Sequence, residues 1–149
     1  MDFFDYLNKH GVIYSARDGM LYIYESLDLV GASVSELCDY LTVMGDFYWP
    51  DESVYKMPKK LIVYGDLYIC NNAITTLPDD LMVGGDLDLG ETAISQLPNN
   101  LIVGGDLGLG YTQITRLPNN LSVGGDLDLS HTSVTELPDD LFVGGAIDR

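Results

Sequence analysis

Apolar residues recur along this chain with a period of 20. The segment Leu77-Pro78-Asp79-Asp80-Leu81-Met82-Val83-Gly84-Gly85-Asp86-Leu87-Asp88-Leu89 returns without insertion as Leu97 to Leu109 and as Leu117 to Leu129, and a truncated copy runs from Leu137 to Arg149. Backwards, the frame continues through Met57-Pro58 to Leu67, through a degenerate unit from Leu37 to Phe47, and into a half-unit made of Leu21-Tyr22-Ile23, Leu27-Asp28-Leu29 and Val34. Self-similarity kept over so many units is the mark of a stacked array. Numbered from its Leu-Pro, each unit is apolar at positions 1, 5, 7, 11, 13 and 18. Positions 5/7 and 11/13 show the two-residue alternation of strands with one buried face. Gly-Gly at 8 and 9 permits a sharp corner between them. Pro at 2 and the polar pair at 3 and 4 mark a second corner.

A unit of 20 residues has no room for two strands, two corners and a regular helix. Each unit is therefore expected to be one flat coil, stacked on the next at about 4.8 Å, the spacing of paired strands. The core becomes a set of columns, with Leu77, Leu97, Leu117 and Leu137 in one and Ile74, Ile94, Ile114 and Val134 in another. Residues 1–20 lie outside the array. Phe3, Phe4 and Leu7 recur at helical spacing and Gly11 offers a stop, so Asp2 to His10 is predicted to be a short amphipathic helix that caps a solenoid over residues 21–149, the whole forming one compact domain. At the other end, Leu137, Leu141, Val143 and Ile147 would face outward from the last coil, and an end-to-end homodimer through them is expected.

The run Leu67-x-Ile69-x-x-Asn72-x-Ile74-x-x-Leu77-Pro78 resembles the short leucine-rich repeat of bacterial effector proteins, whose units also run near 20 residues with a Leu-Pro. In that family an Asn amide bonds the backbone within the turn; here Thr92, Thr112 and Thr132 replace it, and a hydroxyl can do part of the same work. The Val-Gly-Gly-Asp segment departs from the effector pattern and is closer to tandem repeats of bacterial and phage proteins. The resemblance covers roughly residues 21–149 and implies a mainly β fold class: a right-handed, leucine-rich-repeat-like parallel β-solenoid with a short N-terminal helical cap. It is specific for fold and nearly silent on function.

Charge narrows the choice of partner. The 149 residues include 23 acidic and 7 basic side chains, a net charge of -16, with 46% apolar residues. That apolar share is enough for a core and argues against an acidic disordered tail. Direct nucleic-acid binding is disfavoured, because it needs Lys/Arg patches, and anionic membranes should repel the chain. No signal peptide or span of about 20 apolar residues is read, so a cytoplasmic protein is the expectation. Cys38 and Cys70 make no disulfide framework and match no metal spacing.

Asp46, Asp66, Asp86, Asp106 and Asp126 share position 10 and should form a row, bordered by Asp28, Asp88 and Asp128 at position 12. Two readings apply to the row: carboxylates accepting hydrogen bonds from the Gly-Gly corner, or a binding surface. From Leu77 onward 12 acidic residues stand against Arg116 and Arg149 alone. A regular acidic face on a rigid rod suits a nucleic-acid mimic that occupies the basic groove of a nucleic-acid-binding protein, although net charge also serves solubility. Tyr22, Tyr24, Tyr48, Tyr55, Tyr64 and Tyr68 crowd the early coils with Trp49, Lys56, Lys59 and Lys60; Tyr48 and Tyr68 at position 12 are expected to be exposed, where tyrosine suits an interface. Ile62, Met82 and Ile102 at position 6 form a short outward apolar stripe.

A calcium site is disfavoured because Gly-Gly-Asp recurs every 20 residues rather than every nine as in calcium-binding β-rolls. Enzymatic chemistry finds no support either: His10 and His131 have no nucleophile or ligand partner in sequence, and a periodic row offers no pair of carboxylates in divergent environments. No cofactor or metal is expected. The leading expectation is a non-enzymatic inhibitor or decoy with a protein partner, and the phage-like repeats imply a defence target such as CRISPR or restriction machinery in a host cytoplasm. The alternative is an effector-type recognition domain that uses the tyrosine-rich coils.

Overall fold

The computed structural model describes residues 1–34, 36–49, 56–69 and 73–149. Helix α1 (Phe3–Lys9) is followed by a hairpin of β1 (Tyr14–Arg17) and β2 (Met20–Ile23), and then by β3 (Leu27–Asp28). Six further strand pairs succeed one another: β4 (Tyr40–Val43) and β5 (Phe47–Tyr48), β6 (Lys60–Val63) and β7 (Leu67–Tyr68), β8 (Met82–Val83) and β9 (Leu87–Asp88). The last three are β10 (Ile102–Val103) and β11 (Leu107–Gly108), β12 (Ser122–Val123) and β13 (Leu127–Asp128), and β14 (Phe142–Val143) and β15 (Ile147–Asp148).

Even-numbered strands from β2 to β14 stack parallel in one sheet, which β1 extends antiparallel to eight strands; odd-numbered strands from β3 to β15 make a second sheet of seven. Every parallel pairing is offset by one repeat, as in Leu21 opposite Leu41, Val103 opposite Val123 and Leu107 opposite Leu127. The fold is a mainly β parallel solenoid, each coil giving one short strand to each sheet. Between the sheets lie the columns that the periodicity predicts. Leu81, Leu101 and Leu121 at position 5 are buried, as are Leu87, Leu107 and Leu127 at position 11, and Ile94, Ile114 and Val134 at position 18. A residue in such a column packs on its equivalents above and below, so burial follows directly from register.

The N-terminal segment covers the first coil. Asp2 caps α1, its carboxylate accepting the Phe4 and Asp5 N–H groups, and Phe3 and Leu7 are buried against the core. Gly11, at φ +68°, follows the helix in the left-handed region, where glycine meets least steric cost. The Tyr6 hydroxyl donates to the Asp28 carbonyl at 2.8 Å, tying the helix to the second sheet. Strand β1 was not foreseen from sequence. It pairs with β2 across Asp18-Gly19, both at positive φ, the hairpin turn whose twist matches its strands. Cys70, Asn72 and Tyr55 lie outside the described residues.

Candidate functional site

Corners position the charged side chains. At the corner between the two sheets, each position-10 carboxylate reaches to the following coil. Asp46 Oδ1 accepts the Asp66 N–H at 2.9 Å, and Asp66 Oδ1 accepts the Asp86 N–H at 2.8 Å. Asp86, Asp106 and Asp126 repeat the bond, each at 2.7 Å, to the N–H of Asp106, Asp126 and Ala146. Ser26 begins the column, its hydroxyl accepting the Asp46 N–H. The row is in register, as expected, but its donors are the position-10 amides of the next coil rather than those of the Gly-Gly pair. The Gly-Gly pair instead makes room: a Cβ at Gly85, Gly105 or Gly125 would overlap the carboxylate of the preceding coil.

One oxygen of each row carboxylate is thus spent on the backbone. The Oδ2 atoms of Asp86, Asp106 and Asp126 accept no hydrogen bond among the described residues, and Asp106 and Asp126 are exposed. Position 12 also has a local role that sequence reasoning did not assign it. Asp28, Asp88 and Asp128 each accept the N–H two residues on, from Val30, Gly90 and Ser130, closing an Asx turn at the end of the strand. Asp88 and Asp128 flank Gly108 in the second sheet, and with Glu91, Tyr111 and Ser130 they border a shallow acidic hollow of about 240 Å³.

Tyr48 and Tyr68 also occupy position 12, but they are half-buried rather than fully exposed. Their rings stack at 4.9 Å and 10°, and the Tyr68 hydroxyl donates to Asp66 Oδ2 at 2.9 Å. That bond, then burial, then the nearby negative charge of Asp66, pushes the Tyr68 phenol from its ordinary 10.0 up to about 12. Since the folded value lies above the ordinary one, this stabilisation is complete below about pH 10 and is lost as pH rises through about 12. Titration of phenolate absorbance should therefore show a late tyrosine component near 12, and Asp66→Asn should bring that component back toward 10. An unchanged profile would rule out this coupling.

Lys59 and Lys56 lie 2.7 and 3.8 Å from Asp39, which lowers the Asp39 carboxyl and raises the Lys59 amine; these pairs are exposed and contribute little to stability. Trp49 is buried against Phe47 as a core residue. The Thr92, Thr112 and Thr132 hydroxyls each donate at 2.7 Å to the carbonyl three residues earlier, of Leu89, Leu109 and Leu129, so the threonines bond the turn backbone as the resemblance implies. His10 stacks on Tyr6, and His131 on Tyr111. On the last coil Leu137 and Ile147 are exposed, with Leu141 and Val143 half-buried.

Among the described residues no group of three His, Cys, Asp or Glu side chains is placed to hold a metal ion, and no helix is long and apolar enough to cross a membrane. No protein-family model matches this sequence, and no curated protein or solved structure matches it at a significant level. The class the fold defines is therefore a parallel β-solenoid presenting columns of like side chains.

Proposed function

We propose that this chain is a non-enzymatic binding protein whose acidic corner engages a protein partner through a basic surface of the kind that holds DNA or RNA phosphates. The supporting observation is the in-register aspartate column on a chain of net charge -16, with the outer oxygens of Asp86, Asp106 and Asp126 left for a partner. A stacked fold suits such a role, because backbone pairing fixes the spacing of the charges before any partner arrives. The resemblance to effector and phage-type repeats extends this reading to a defence protein in a host cytoplasm. A second reading uses the early coils, which carry the Tyr48–Tyr68 stack and also expose Tyr24, Tyr40 and Tyr64.

Asn is the informative substitution in the row, since it removes charge yet keeps an oxygen for the next coil's amide. Asp46, Asp66, Asp86, Asp106 and Asp126 changed together to Asn should abolish capture of nucleic-acid-binding proteins from a bacterial lysate. Wild-type capture should be displaced by duplex DNA and lost at about 1 M salt, where screening acts within ~3 Å. Partners that survive both the salt and the five-Asn variant overturn the acidic reading. If Tyr48→Ala and Tyr68→Ala then release them, the tyrosine-rich coils are the site.

A further inference from the structure

The outer face of the eight-stranded sheet carries a groove whose composition differs from the rest of the surface. Along β6, β8 and β10 the valines Val63, Val83 and Val103 point into the core, so Ile62, Met82 and Ile102, paired in register, point out. Met82 and Ile102 are about half exposed, at 49% and 50%. Two residues on from this stripe runs the position-8 column, where the exposed Tyr64 is followed by Gly84 and Gly104. The tyrosine ring closes one end, and the absence of side chains at the glycines leaves a channel of about 250 Å³ beside the stripe. Filling either glycine would force the backbone to shift, because a Cβ on Gly84 would overlap the Tyr64 carbonyl oxygen and one on Gly104 that of Gly84. The channel is therefore set by how the coils stack, and binding there needs little reordering.

Its borders specify the occupant. Asp66, Asp86 and Asp106 follow the position-8 column by two residues, just past the corner between the sheets. Across the stripe lie Lys60, Asp80 and Asn100. An apolar slot on a chain of net charge -16, with the open carboxylate oxygens of Asp86 and Asp106 beyond its corner and a mixed row on the other side, complements an apolar side chain flanked by cations. A second copy of this chain would bring the same negative charge and be repelled. We infer that the groove at Ile62, Tyr64, Met82 and Ile102 seats one apolar side chain of an extended partner segment whose neighbouring residues are Lys or Arg. This rests on the acidic-corner reading above and adds an apolar anchor to it.

Two peptides test it, Lys-Lys-Leu-Leu-Lys-Lys and Lys-Lys-Ser-Ser-Lys-Lys, titrated at low salt while the methyl resonances of Met82 and Ile102 are followed by NMR. The leucine peptide should shift both methyls and bind at least tenfold more tightly than the serine peptide. In the double variant Met82→Thr and Ile102→Thr, which keeps strand-compatible residues at exposed sites, that advantage should disappear while the thermal transition stays in place. Equal binding of both peptides, or an advantage that survives in the double variant, overturns the groove and leaves the acidic reading standing. Binding of neither peptide overturns both.

Discussion

Gly104→Ala is expected to destabilise the protein by about 1–3 kcal/mol, the range for forcing extra atoms into a packed site. The cause is backbone meeting backbone. A Cβ at this position would overlap the Gly84 carbonyl oxygen and lie 2.9 Å from its carbon, and neither atom can swing aside as a flexible side chain could. The same coil supplies the control, since the tightest contact of a Cβ at Gly108 would be Asp88 Oδ1, at 3.2 Å, which a small side-chain shift relieves. Gly108→Ala should accordingly change the midpoint of urea unfolding little, whereas Gly104→Ala should move it clearly downward. Equal effects would mean that the coils can separate at the corner and that the glycine column is not a packing requirement.

In the aspartate column the two obvious substitutions should act in opposite directions. Asp46→Ala leaves the partly buried Asp66 N–H without its acceptor, and a cost of about 1–3 kcal/mol follows. Asp46→Asn keeps an oxygen in place and removes a charge. Neighbouring unit charges about 4.8 Å apart repel by ~1 kcal/mol even in water, so changing Asp86, Asp106 and Asp126 to Asn should gain about 1–2 kcal/mol at low salt. The gain should shrink as salt screens the wild-type row. Thermal unfolding at two ionic strengths checks both signs. If Asn proves as damaging as Ala, the negative charge itself holds the corner, and the hydrogen-bond account of the column fails.

The array was legible because its signal repeats: one residue per position says little, but the same residue at positions 81, 101 and 121 fixes register, burial and strand pairing together. The helix was also readable, and it spans Phe3–Lys9 with Asp2 as its cap, one residue inside the predicted limits at each end. What escaped was unrepeated, pairwise or present in only some units. Strand β1 is four residues long, half of it exposed, and its one sequence signal was the Asp18-Gly19 turn. The Asx turns at position 12 were missed because the degenerate units put Tyr there instead of Asp, which hid the local bond. The Tyr48–Tyr68 stack depends on two rings meeting across coils and sharing space with Asp66, which no single-residue propensity reports.

Because every parallel strand pairing is offset by one repeat, whole coils are interchangeable modules. Excising residues 97–116 would bring Gln96 to Leu117 and set Leu127 over Leu87, with Asp86 meeting the amide of Asp126. Near-identical tandem segments in a gene invite unequal recombination, and here each crossover in frame would yield a shorter or longer rod with its corner bonds rejoined. Length, and with it the number of carboxylates displayed, is thus a heritable variable that selection could tune without inventing a single new contact.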